Sequence, residues 1–465
     1  MNRSKKLCVL LGVFAVVSIA TFALMRMEER KEQIKETVEI ILEVPTESVQ
    51  SLSWAYNEET LSFHKDETWL YDGDENFPVS EEKINGLLEQ FRSFGAAFVI
   101  EDVEDFGQNG LDNPVCTIKL STASQTYEVK LGDYSKMDSQ RYVSIGDGKA
   151  YLVKHDPLEE YGAVLSDMID HDEIPSFDRV TQIQFAGAET YSITYQADST
   201  DSYSADDVYF TQQHGKNLPL DTTKVENYLW SISNLGLTDY VSYNVTEEEL
   251  RSCGLDAPEL TVTVDYTLET DGGKETSDTF ILYVSPDPEE SKAVGAGEDG
   301  EAAEVPAYVR VGDSQIVYKV PSGSYKKLAA ASCSDLRHSE VFWADFAGVQ
   351  QIDVALEGSG YTFTPQQEGD GDTWLYLGEV FEAVDLRAGL KALLAEEFTD
   401  EQPGQKEEIS LTVHLDNENF PLVQIALYRY DGEHCLAVVD GESVSLVERS
   451  AVVALIEAVH AIVLD

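Results

Sequence analysis

Ser324 and Lys327 form an S-x-x-K pair, the spacing at which a lysine on a helix can draw the proton from a serine nucleophile. No K-T-G sequence accompanies it, and the pair opens the helix-like stretch SYKKLAAASCSDL. A helix surface is expected there. Gly295-Ala296-Gly297-Glu298-Asp299-Gly300 spells G-x-G-x-x-G, but a dinucleotide site needs a strand before it and a helix after it. Here the glycines sit in SPDPEESKAVGAGEDGEAAEVP, an acidic loop that would repel pyrophosphate. Asp72, Asp74 and Asn76 have the 1, 3, 5 spacing of a calcium loop, yet Phe77 stands where glycine is needed and Lys83 where the closing glutamate belongs. A hairpin turn after Trp69-Leu70-Tyr71 accounts for the stretch, and EGDGD before Trp374 is its counterpart.

The remaining reactive residue types do not converge. Cys8, Cys116, Cys253, Cys333 and Cys435 are isolated, with no metal or redox spacing, and isolated thiols are expected rather than disulfides. The eight histidines include no H-x-x-x-H or H-E-x-x-H, and His460 reads as a cation near the end of the last helix. Glu101, Asp102, Glu104 and Asp105 cluster ahead of Gly110 but read as a solvated loop. No catalytic residue, cofactor or metal-ligand set is therefore expected.

The chain of 465 residues is long enough for about three domains. Its 43% hydrophobic and 10% aromatic content belongs to a folded protein. Asp and Glu number 86 against 32 Lys and Arg, a formal charge of −54. A surface this acidic repels phosphate backbones and excludes nucleic acid as a partner; it favours basic partners or cations.

Residues 7–25, LCVLLGVFAVVSIATFALM, form an uncharged apolar run preceded by Arg3, Lys5 and Lys6. That length and basic flank predict a single-pass transmembrane anchor, with 1–6 as a cytoplasmic tail and 26–48 as a juxtamembrane segment. The expected localisation is the cell membrane, with the C-terminal part outside the cytoplasm. Ser18 and Ala20 make a poor cleavage site, so an uncleaved anchor is expected.

The elements behind these motifs repeat. VQSLSW at 49–54, VTQIQF at 180–185 and VQQIDV at 349–354 share a period-2 pattern and predict three first strands. Each leads to a hairpin and then a helix whose apolar residues fall on one face: Ile84, Leu87, Leu88, Phe91; Val225, Tyr228, Leu229, Ile232; Leu386, Leu390, Leu393. FPVSEEKI and LPLDTTKV share a lead-in with Ser80 and Asp221 as N-caps. Next comes a phrase written twice, NGLDNPVCTIKL and CGLDAPELTVTV. Gly110 and Gly254 are expected at positive φ, Asp112 and Asp256 bonded to nearby backbone, and Pro114 and Pro258 at the start of a strand. Cys116 then takes the place of Leu260 and reads as a core hydrophobe. Closing strands and a last helix follow in each copy, and the third copy lacks the Gly-Leu-Asp phrase. The predicted fold is α+β, a transmembrane helix followed by three tandem modules of antiparallel sheet covered by helices. Their bounds are 49–178, 179–345 with an acidic insert at 285–306, and a degenerate copy at 346–465.

The apolar leader, the W-x-Y strand, the [FL]-P-[VL] lead-in, the G-L-D-x-P turn and the Y-V-x-[IV]-G-D strand together resemble the bacterial family catalogued as domain of unknown function 4340. The likeness runs from about residue 40 to 340. It implies an anchored, outward-facing protein with no assigned activity, in some members beside transport ATPase systems of the gliding-motility type, and no catalytic residues to carry over. The expected function is a non-catalytic extracytoplasmic accessory or interaction module, with transporter or envelope proteins as partners. The alternative is a surface hydrolase or binding protein acting on envelope glycans, and a hydrolase would need two carboxylates in one cleft.

Overall fold

The computed structural model describes residues 39–213, 215–270, 273–294, 304–366 and 373–464. The expected anchor at 7–25, the G-x-G-x-x-G stretch at 295–300 and the EGDGD turn at 368–372 lie outside these residues. The chain divides into two compact units with the boundary between His171 and Asp172. The first unit holds one large sheet and the second holds two.

The internal repeat is visible in the strand order. From edge to edge the first sheet runs Trp69–Tyr71, Glu59–Lys65, Val49–Tyr56, Cys116–Thr122, Thr126–Ser135, Gln140–Ser144, Ala150–Val153, Phe98–Ile100. The second and third sheets keep that order and add one edge strand, Lys216–Pro219 and Glu379–Glu382 respectively. All three are antiparallel, and strands such as Val49–Tyr56 and Val349–Leu356 turn alternate residues to a core, while Ala150–Val153 is buried on both faces. The first strand of each sheet also carries the same irregularity. Its register against the next long strand slips between Val49 and Ser51, between Val180 and Gln182, and between Val349 and Gln351. A bulge kept at one position in three copies fixes which face of the strand turns inward.

The helix after each hairpin covers the inner face. Ile84, Leu87 and Leu88 are buried on Glu81–Glu89, and Val225, Tyr228, Leu229 and Ile232 on Thr222–Ser233. Each such side chain contributes about 1.5–3 kcal/mol on burial. Ser80 and Asp221 cap these helices by accepting the backbone N–H of Lys83 and Lys224. The third helix, Val384–Lys391, starts after Ala383 without a side-chain cap. It is held by Arg449–Leu464 instead, packed so closely that a Cβ on Gly389 would lie 3.1 Å from the Leu455 Cα.

The fold predicted from the sequence needs correction. The structure is mainly antiparallel sheet with short helices, and among the described residues no helix is long and apolar enough to cross a membrane. The longest described helix, Arg449–Leu464, has 16 residues. The single-pass anchor, and the membrane localisation that rested on it, are therefore not supported. The closing helices of the first two copies are also broken. LEEYGAVLSDMI gives the single turn Leu158–Tyr161 and a 3-10 turn Leu165–Met168, because Gly162 ends the first and Val164 is extended. In the second copy Ser332 and Asp335 form a capping box that starts a new turn, Cys333–Leu336, instead of continuing Ser322–Ala329.

Candidate functional site

The most concentrated polar chemistry among the described residues lies in the second unit, where Asp207 meets the segment that leads from the second sheet to the third. Asp207 precedes the strand Tyr209–Gln213, and its loop is pinned to the start of the helix Thr222–Ser233. Val208 N–H donates to the Thr222 hydroxyl, which donates to the Asp206 carbonyl. The Asp207 side chain is only 2% exposed. Its Oδ1 pairs with His338 Nε2 at 2.8 Å, and its Oδ2 accepts from Trp343 Nε1 at 2.9 Å and from the Ser202 hydroxyl. Burial pushes this carboxyl up, but the bonds from His338, Ser202 and Trp343 outweigh it and hold the group below the usual carboxylate range.

Aromatic rings frame the knot. The His338 and Trp343 rings stack 4.3 Å apart and 9° from parallel, and Tyr203 packs on Phe342, Trp343 and Phe420. A neutral imidazole whose Nε2–H donates to Asp207 carries its lone pair at Nδ1. Asp221 and Glu340 are half-buried beside it. One ligand atom from each of Asp221, His338 and Glu340 lies within 4.8 Å of the other two.

The sequence-selected residues lie elsewhere. Gly110 and Gly254 have φ of +69° and +72°. In each copy the glycine N–H bonds back three residues (to Gly107, to Arg251) and the next leucine N–H bonds back five (to Phe106, to Leu250). This is the Schellman ending of a short helix, Phe106–Asn109 or Glu247–Ser252, and Leu111 and Leu255 are its buried plugs. Asp112 and Asp256 are exposed, and backbone groups rather than their carboxylates close the turn. Pro114 and Pro258 each stand two residues before their strand.

Of the acidic group ahead of Gly110, Asp105 caps the turn by accepting Gly107 N–H, while Glu101 pairs with Lys149. In the calcium-like stretch, Asp74 accepts from the Asn76 backbone and side chain, and Asp72 pairs with His64. These bonds close a turn and do not gather around a common point. Ser324 and Lys327 lie on the helix Ser322–Ala329. Ser324 borders a cleft whose Lys319 is already bound to Asp287 and Glu290. His460 is half-buried on the last helix. Cys116, Cys253, Cys333 and Cys435 are free thiols, and burial pushes Cys116 up to about 12 and Cys435 up to about 11. Thiols held so far above neutral pH are not nucleophiles.

The family described as Domain of unknown function (DUF4340) matches residues 69–258 and, in a second overlapping stretch, 211–412, together well over half of the chain. The chain belongs to this family. No curated protein and no solved structure matches it. The two DUF4340 matches begin on equivalent strands, Trp69–Tyr71 and Tyr209–Gln213, the third from the long central strand in each sheet. In this DUF4340 protein Ser202 and Asp207 fall inside the first match, and His338, Glu340 and Trp343 fall inside the second.

Proposed function

We propose that this DUF4340 protein is a non-catalytic interaction module that works by binding other proteins, with components of an envelope or transport ATPase assembly as the first partners to test. One comparison among the repeats carries the reading. Pairing registers put Arg141, Ala307 and Cys435 at the same place in the three sheets, and all three are buried. The first copy uses the place for a buried ion pair, Arg141 with Asp156. The second fills it with a methyl group and sets its own pair, Lys319 with Asp287, elsewhere. Strand order and bulge recur, while the polar chemistry changes from copy to copy. Repeats of that kind keep a frame and leave specificity to their surfaces. Trp230, 61% exposed on the outer face of Thr222–Ser233, is the type of side chain that anchors protein interfaces.

The test is purification through the full chain from cell lysates at low and at high salt, without crosslinking. A transport-assembly component should be retained, and retention should weaken at high salt, because a chain of charge −54 makes contacts that salt screens. Turnover of an envelope polysaccharide by the purified chain, abolished by replacing a single carboxylate, would show an enzyme instead.

A further inference from the structure

We propose that Asp221, His338 and Glu340 form a binding site for one divalent transition-metal ion of the zinc type, clamping the second repeat's helix to the segment that enters the third repeat. Local structure brings the three together. Residues 339–341 run extended beside 393–395, with Val341 N–H on the Leu393 carbonyl and Ala395 N–H on the Ser339 carbonyl. Side chains two apart on such a segment project to the same side, which places His338 beside Glu340. Asp221 is carried in by its own N–H, bonded to the Leu336 carbonyl at 3.0 Å. Its Oδ1 caps the helix through Lys224 N–H, which leaves the second carboxylate oxygen for a ligand.

Asp207 supplies what an isolated histidine lacks. Metal-bound histidines commonly donate their other ring N–H to a carboxylate, which fixes the tautomer and turns the ring toward the ion. Here Asp207, buried and held by Ser202 and Trp343, accepts the hydrogen bond from Nε2–H, which leaves Nδ1 to coordinate, and stacking on Trp343 locks the ring plane. One imidazole with two carboxylates suits zinc, with water as the fourth ligand, better than the all-oxygen shells that calcium and magnesium prefer. Ligand atoms within 4.8 Å of one another close on a zinc ion by small side-chain movements.

One nearby cation opposes the ion. The Lys224 ammonium donates to the Arg337 carbonyl at 2.8 Å and to the Ser339 hydroxyl at 2.6 Å, on either side of His338 in the chain. A positive charge held there opposes a second cation at His338, so a metal ion competes with it. That competition separates a built site from loose condensation of cations on an acidic surface, because the two respond to different substitutions.

The experiment is calorimetric titration of zinc into the chelator-stripped full chain at 0.5 M NaCl, with absorption of the cobalt(II) form as a second readout. One equivalent should bind, with the intense visible bands of a four-coordinate ion. Glu340→Gln should weaken binding at least tenfold and remove the bands, Asp207→Asn should weaken it about 10- to 100-fold, and Lys224→Met should tighten it. Glu401→Gln, an exposed carboxylate bonded to Tyr430 and to no member of the cluster, should change nothing. Thermal unfolding of each metal-free variant distinguishes lost binding from lost folding, and Glu340→Gln, at a half-buried position, is the variant to rely on if Asp207→Asn fails to fold. Zinc binding that Glu340→Gln and Glu401→Gln leave equally unchanged would overturn the site, as would the absence of any equivalent that survives 0.5 M NaCl.

Discussion

Trp69 and Trp374 occupy equivalent hairpin strands of the first and third sheets, both are buried, and neither indole N–H has a hydrogen-bond partner. A buried donor without a partner is a standing cost, so these residues stabilise through their rings and not through the N–H. Trp69→Phe and Trp374→Phe should each change stability by less than about 1.5 kcal/mol, whereas Trp→Ala at either place should cost about 3–5 kcal/mol. Urea denaturation of the four variants checks this, and a Phe variant as damaged as its Ala counterpart would contradict it.

The two glycine turns share a backbone but differ in their surroundings. A Cβ on Gly110 would lie 2.8 Å from the Asp133 carboxyl carbon and 3.0 Å from the Asp133 backbone nitrogen, while at Gly254 the nearest atom is 3.4 Å away. Gly254→Ala should cost only the left-handed penalty, about 1–2 kcal/mol, and Gly110→Ala should cost clearly more. Equal thermal shifts for the two variants would mean that the Asp133 contact is relieved without cost.

Arg141 and Asp156 are 9% and 11% exposed, and Arg141 also donates to the Gly132 carbonyl at 2.6 Å. Replacing Asp156 with Ala leaves a buried guanidinium without its counter-charge, and the loss should be about 3–5 kcal/mol. The double change Arg141→Met with Asp156→Leu should recover most of it. Urea denaturation of the parent, the single variant and the double variant decides, and a double variant no better than the single one argues against the buried-charge account.

Asp287 gives a pH signature of defined sign. Burial raises its pKa, but Lys319 Nζ, the N–H groups of Glu290 and Glu289 and the Tyr308 hydroxyl together hold it below the ordinary value. A carboxylate whose folded pKa is depressed stabilises fully above its unfolded pKa of about 3.9, and that contribution is lost as pH falls through the lower folded value. The gap in stability between the protein and its Asp287→Asn variant should therefore be widest at neutral pH and shrink below about pH 4. Denaturation curves at several pH values measure the gap directly, and a constant gap down to pH 2 would contradict the assignment.

The repeated frame was legible because its signals are local. Alternation over six residues marks Val49, Val180 and Val349 as strand starts, and the stripe Val225, Tyr228, Leu229, Ile232 marks a helix face wherever the rest of the chain goes. The Schellman endings at Gly110 and Gly254 read only as turns, since the short helices before them have too few apolar residues to show a period. The Asp207 knot was invisible for a different reason. It joins residues 131 and 136 positions apart, and STDSYSADD has the composition of an ordinary polar loop. The available hint was RHSEVFWADF, which sets a histidine and a tryptophan among apolar residues in a short connection where solvated side chains are the rule.

The family match and the sheets are out of phase along the chain. A fragment cut at 69 and 258 would keep Cys116–Thr122 but lose Val49–Tyr56, its neighbour in the sheet; it would keep Val180–Ala186 but lose Leu260–Thr270. Both severed strands would present bare ladders of N–H and C=O groups flanked by buried apolar side chains, the condition under which edge strands recruit one another. The segment recognised by ancestry is thus offset from the segment that closes a sheet, and gene fragments trimmed to it would yield aggregates, whereas cuts at the His171–Asp172 boundary leave every described ladder intact.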